Sequence, residues 1–151
     1  MTSLQPQVQL LDLRDIVARL RVQCPSARHV ERVKDLATAQ EQAVKSPSLW
    51  VVPDSDEGEG VELDMRVSQF VITSWTVVIA VANYTHEFGD GGDDELRIIR
   101  QEAIAAMLGW TPTHGQTGSF FVRGQFAGYS SNVIWWEDTF GNRIQLRQAM
   151  T

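Results

Sequence analysis

One cysteine, Cys24, stands in a chain of 151 residues. It has no partner for an intrachain disulfide and cannot supply a multi-thiolate metal site, so a stapled secreted framework and a zinc finger are both excluded. Positive charge is also scarce: 13 Lys and Arg stand against 19 Asp and Glu, a net charge of −6. A protein that grips phosphates needs clustered cations, and this one repels them. Lysine itself is reduced to Lys34 and Lys45, so cationic contacts fall to arginine, the better residue for bidentate and stacked interfaces. No apolar run approaches the roughly 20 residues of a membrane span, and Met1–Gln9 lacks a signal-peptide pattern. These features predict a soluble protein made in the cytoplasm, with no membrane partner. Eleven Gly and five Pro exclude a collagenous or low-complexity chain.

What is present, 43% hydrophobic and 21% charged residues, suits one folded domain over 1–151, with 1–9 as a polar leader. Leu10, Leu13, Val17 and Leu20 recur at helical spacing and predict a helix over residues 10–23, stopped by Pro25. A short β-like piece at His29–Val33 leads into a helical stretch over Asp35–Lys45, and Leu49–Val52 between two prolines reads as a buried strand. Asp54–Gly60 is acidic, contains glycine and has no apolar residue, which predicts a mobile surface loop.

Met65–Ala82 is rich in Val, Ile, Thr, Phe and Trp without Gly or Pro, the composition of strands. At ~3.3 Å per residue it spans roughly 60 Å, so it bends or projects. Its second half, Trp75–Ala82, is apolar on both faces and predicts a central covered strand; its first half either projects as an arm or pairs at an edge. His86–Asp94 reads as a polar loop. It caps a helix over Asp94–Leu108, with Leu96, Ile99, Ala103 and Met107 on one face and Gly109 just past its end. Antiparallel strands follow at Ser119–Ala127, Val133–Phe140 and Arg143–Arg147, with turns at Tyr129–Asn132 and Gly141-Asn142. That hairpin register sets Trp136 beside Arg147 on an outer face, and Val133, Trp135, Ile144 and Leu146 on the core face. The fold class is therefore α+β: a mostly antiparallel sheet packed with two to three helices.

Chemistry is sparse. Cys24, His29, His86 and His114 lie in unrelated segments and form no nucleophile-and-base set. Gly89–Asp94 lacks the spacing and closing glutamate of an EF-hand loop, and His114–Ser119 lacks the spacing of a phosphate-binding loop. No catalytic, cofactor-binding or metal-ligating residue is assigned, and no cofactor is expected. Trp135 and Trp136 are neighbours on a strand and must point to opposite faces, which leaves one for an outer layer, a helix or another subunit.

In order, the Leu11–Leu20 helix, the Trp50-Val51-Val52-Pro53 strand, the acidic loop and the long Val67–Ala82 strand region precede Leu108-Gly109-Trp110-Thr111-Pro112 and the ending Trp135-Trp136-Glu137-Asp138-Thr139-Phe140 with Ile144-Gln145-Leu146-Arg147. This set resembles the phage tail terminator proteins of long-tailed phages, also called tail completion or neck proteins, over nearly the whole chain. The resemblance implies a non-enzymatic virion protein, assembled in the host cytoplasm and placed at the tail–neck junction. It implies a homohexameric ring that caps the head-proximal end of the tail tube, ends its polymerisation and meets the head completion or connector proteins. Its partners are then itself, the tail tube protein and those neck proteins, with DNA passing through the lumen without specific binding. Arg66, Ser68, Phe70, Trp136 and Arg147 are candidate subunit or partner contacts. Asp54, Asp56, Glu57, Glu59, Glu87, Asp90 and Asp93 are candidates for loops facing lumen, tube or neck. The alternatives are another head–tail connector or minor tail protein, and a small-ligand-binding or enzymatic α+β domain.

Overall fold

The computed structural model describes residues 8–42, 44–63, 66–83 and 90–149. Among the described residues eight elements follow one another: α1 (Leu13–Gln23), β1 (His29–Arg32), α2 (Leu36–Gln40), β2 (Ser48–Leu63), β3 (Arg66–Ala82), α3 (Asp90–Met107), β4 (Phe120–Ser130) and β5 (Val133–Ala149). The strands form a single sheet in the order β1-β2-β3-β5-β4, antiparallel except for the β1–β2 pair, so the α+β expectation holds.

β3 lies at the centre because its second half is apolar on both faces. Trp75, Val77, Ile79 and Val81 join α1 and α3 in the larger core, with Ile16, Leu20, Ile99 and Met107 among its members. Val78 and Ala80 face the opposite way into a smaller core with Trp50, Val52, Trp135 and Ala39 of α2. The helical periodicity of the sequence is thus realised in both long helices. α1 starts at the N-cap Asp12, whose carboxylate accepts from the Arg14 backbone N–H and holds the Arg14 guanidinium at 2.7 Å. α3 begins at Asp90, four residues before the expected Asp94, and so takes in the end of the expected polar loop. α2 covers only Leu36–Gln40 of the expected Asp35–Lys45.

The Leu-Gly-Trp-Thr-Pro element ends α3. Gly109 has a φ of +78°, a conformation that costs other L-residues about 1–2 kcal/mol. Its N–H donates to the Ser119 carbonyl, while Ser119 returns two bonds to the Trp110 carbonyl, through its N–H and through its hydroxyl. Gly118 makes this possible: a Cβ there would lie 2.8 Å from the Gly109 backbone.

Two expectations are overturned. Asp54–Gly60 is not a loop but part of β2, which runs on to Leu63 and pairs with β3 from Ser48↔Ala80 to Leu63↔Val67. Local composition disfavours a strand here, and the ladder offered by β3 overrides it, with two register shifts, at Pro53/Ser55 and Gly58/Val61, absorbing the misfit. Likewise Gly141-Asn142 is no turn. β5 runs unbroken from Val133 to Ala149, and each of its residues pairs with one of β3. Gly141 serves packing, since a Cβ there would sit 2.9 Å from the Phe120 ring. The turn between β4 and β5 is at Ser131 and Asn132, both at positive φ, within the expected Tyr129–Asn132.

Candidate assembly surfaces

The sheet has two levels. At one, β1, the first half of β2, the second half of β3, β4 and the first half of β5 form the body under the helices. At the other, residues 54–63, 66–73 and 142–149 continue as a three-stranded arm. The arm has its own side-chain network. Arg143 holds Glu59 at 2.9 Å while its guanidinium carbon lies 3.7 Å from the centre of the Phe70 ring. Gln69 donates to the Glu59 carbonyl at 2.9 Å, Gln145 donates to the Ser68 hydroxyl at 2.8 Å, and Arg147 donates to Gln145. Where arm meets body, Arg123 of β4 reaches Asp54 of β2 at 3.3 Å.

Arg66, Ser68, Phe70 and Arg147 therefore come together on the arm: Arg66 pairs with Ala149, Ser68 with Arg147 and Phe70 with Gln145. Trp136 does not join them. The hairpin register that set it beside Arg147, and Asp138 opposite Gln145, is replaced by one continuous strand on which Trp136 pairs with Ile79 and Phe126. Trp136 and Arg147 then lie roughly 36 Å apart along β5 at 3.3 Å per residue. Val133 and Trp135 likewise point away from Ile144 and Leu146, because strand parity runs through without a reversal. Asp54, Asp56, Glu57 and Glu59 are exposed on β2, Asp90 opens α3, and Asp93 is exposed in its first turn. Glu87 lies outside the described residues.

Trp135 and Trp136 do face opposite layers. Trp135 stacks on Trp50 at 5.6 Å in the smaller core. Trp136 lies against the larger core, its indole N–H donating to Asp138 at 2.9 Å and the Arg100 guanidinium 4.3 Å above its ring. Asp138, fully buried, also accepts from Arg100 Nε and Nη2, both at 3.0 Å. This pair bolts α3 to β5. Sequence reasoning missed it because Arg100 and Asp138 are 38 positions apart with no motif joining them.

Sequence reasoning also missed the outer edge of the sheet. Among the described residues β4 pairs only with β5, and Phe120, Phe121, Val122, Phe126 and Tyr129 are 37–53% exposed along it. The signal was present in Phe120-Phe121-Val122, three apolar residues in a row that no alternating strand buries on one face.

Cys24 caps α1 from inside the larger core, and burial first, then the nearby Glu102, pushes its thiol up to about 12. The thiol is thus neutral and inert in the folded protein. Because the folded state holds this proton more tightly than the unfolded chain, with its ordinary value of 9.0, the contribution to stability is complete below pH 9 and falls as pH rises towards 12. Iodoacetamide at pH 8 is expected to alkylate the native protein at least about a hundredfold more slowly than the urea-unfolded chain. Comparable rates, followed by mass spectrometry, would mean that the α1 end opens readily.

A hollow of about 390 Å³ lies between Gln40 and Gln42 beside α2 and the β4–β5 turn, with Val44, Asn132 and Trp135 in its lining. Among the described residues no three or more His, Cys, Asp or Glu side chains gather as a metal site, and no helix is long and apolar enough to cross a membrane.

The family model for Phage tail terminator protein matches residues 7–150. Among solved structures, a chain of the "Virion of native gene transfer agent (GTA) particle" is similar with a TM-score of 0.59 and 10% identity, over 89% of this chain and 95% of that one. At that identity the likeness is one of fold. No curated protein matches significantly.

Proposed function

Since this chain belongs to the phage tail terminator family, a family of virion structural proteins, we propose that it closes the head-proximal end of a tail tube as a homohexameric ring. The ring ends tube polymerisation and offers a surface to the head completion or connector proteins at the tail–neck junction. The match over residues 7–150 carries this reading. The fold is compatible with it, because a ring needs unlike faces that meet head to tail, and this sheet has an apolar edge at β4 and, on its other side beyond the short β1, an open acidic stretch of β2. The role is binding and not catalysis. Arg66, Ser68, Phe70 and Arg147 on the arm contact a neighbouring subunit or the tube. Asp54, Asp56, Glu57 and Glu59, with Asp93 at α3, face lumen, tube or neck. Their carboxylates keep passing DNA from sticking, in line with the net charge of −6. Trp136 is left to packing under α3.

Light scattering of the purified protein across concentration, with negative-stain imaging with and without tail tubes, tests the reading. Six-subunit rings, free or seated on tube ends, are expected. A strict monomer that ignores tubes would overturn it. Arg147→Glu is expected to abolish ring formation while shifting the melting temperature by no more than about 2 °C, because an exposed surface charge away from the core contributes within roughly ±0.5 kcal/mol. Undiminished rings in this variant would remove Arg147 from the contact.

A further inference from the structure

We propose that the outer edge of β4 pairs, strand against strand, with the outer edge of residues 54–63 of β2 in a second copy of this chain. The inference rests on the ring reading above and names the surfaces that build it.

Among the described residues β4 is a lightly protected edge, guarded by Arg123 and by two register shifts, at Phe121/Arg123 and Phe126/Gly128. Soluble proteins blunt such edges with lysine, proline or inward charges, since unpaired backbone groups otherwise recruit another strand. Phe120–Ser130 contains none of Lys, Pro, Asp or Glu, and five of its large apolar side chains are exposed. Among the described residues β1 and residues 142–149 of β5 are open on their outer sides, but β1 has only four residues and β5 runs parallel to β2; the longer open edge that fits β4 is on β2. β1 covers its outer side only from Ser48 to Val51, and among the described residues no strand pairs with that side from 54 to 63. Ten residues there face the eleven of β4.

Charge selects the unlike pairing. Residues 54–63 include Asp54, Asp56, Glu57, Glu59 and Glu62 and no cation, while β4 carries the single cation Arg123 and no carboxylate. Two copies of the acidic edge repel one another, whereas β4 against the acidic edge brings no like charges together. Pairing of these unlike edges is heterologous, the kind that forms a ring where its rotation closes.

Strand direction agrees. β2, β3, β5 and β4 alternate in direction, so β2 and β4 run opposite ways. Rotation by one ring step about an axis inclined to the strands, but not across them, keeps β2 of the next copy running broadly in its original direction, so it meets β4 antiparallel, in the more stable ladder. The levels differ by a stagger. Gln125, at the middle of β4, is level with Glu137, Val78 and Trp50, whereas Gly58, at the middle of the acidic stretch, is level with Val71. From Val78 to Val71 is roughly 23 Å along the strand, against roughly 19 Å across four inter-strand steps. Joining the two edges tilts the strands by about 50°, close to the 35–45° at which closed sheets settle. Centre-to-centre pairing sets Phe126 opposite Glu57 of the neighbour.

A charge swap in the full-length protein tests this. Phe126→Glu is expected to raise the concentration needed for ring formation at least about tenfold, the penalty of a like-charge contact of about 1.4 kcal/mol. Adding Glu57→Lys is expected to restore assembly. Light scattering and negative stain give the assembly readout, and a cooperative thermal transition gives the fold control. Normal rings from Phe126→Glu, or no rescue by Glu57→Lys, would overturn the edge pairing and leave the ring reading standing. Wild-type protein that never forms rings, even on tubes, would remove the reading beneath it. Should Phe126→Glu not fold, Phe126→Cys with Glu57→Cys decides the matter: a bismaleimide is expected to give a ladder of covalent multimers, and monomers would overturn the proposal. Cys24, buried, stays out of that reaction.

Discussion

Asp138→Ala is expected to lower the melting temperature by roughly 6–20 °C. Breaking a buried ion pair from one side costs about 3–5 kcal/mol, and 1 kcal/mol is worth roughly 2–4 °C in a domain of this size. Asp138 is wholly buried and takes three donors: two from Arg100, at 3.0 Å each, and the Trp136 indole at 2.9 Å. Its removal strands a guanidinium above an aromatic ring and leaves an indole N–H without its acceptor. Packing around the pair has no slack, because a Cβ on Gly124 would sit 2.5 Å from Asp138 Oδ1 and 3.0 Å from Arg100 Nη2. Asp138→Asn, which keeps an acceptor oxygen, is expected to lose less. Circular dichroism melts read the effect, and a drop below about 2 °C for Asp138→Ala would show that apolar contacts alone hold α3 in place.

Trp50→Ala is expected to cost about 3–5 kcal/mol, the range for emptying a buried aromatic site. Trp50 has no exposed surface, stacks on Trp135 with 26° between the rings, and meets the edge of His29 at 5.8 Å. Among the described residues the smaller core holds six buried ones, of which Ala39 is the contribution of α2. Removing its largest side chain therefore affects α2 most, a helix of five residues with no stability of its own. Urea unfolding measures the loss, and hydrogen exchange locates it: amides of α2, Glu41 included, are expected to exchange faster than those of α1. Equal acceleration in both helices would mean that the two cores unfold as one. Trp50→Phe, which keeps an aromatic ring on Trp135, is expected to retain most of the stability.

The elements legible in the sequence were those whose cause is local. Leu96, Ile99, Ala103 and Met107 line a helix face whatever the rest of the chain does, and Gly109 ends that helix because only glycine takes its backbone angle freely. The apolar second half of β3 likewise announces a strand covered on both sides. Asp54–Gly60 misled because acidic residues and glycine disfavour a strand only until a partner supplies the ladder, and that partner, Val71–Ser74, lies on the next strand. Gly141-Asn142 misled for a related reason. A short turn signal was weighed without the long β3 that holds β5 straight, and without the Phe120 ring that accounts for the glycine. Of the surfaces, Arg147 fell beside Ser68 and not beside Trp136, because β5 runs straight where a hairpin was expected, and the β4 edge follows from strand order, which no local pattern encodes.

The unbroken pairing of β3 with β5, residue for residue from Arg66↔Ala149 to Ala82↔Val133, has a mechanical meaning. Two strands that pass from body to arm without a joint form a beam, and a beam has no hinge at which to fold. A push on the far end is borne by the whole ladder and reaches the residues under the helices, Asp138 among them. The direction in which the arm points is then a built-in dimension, set by the twist of the strands.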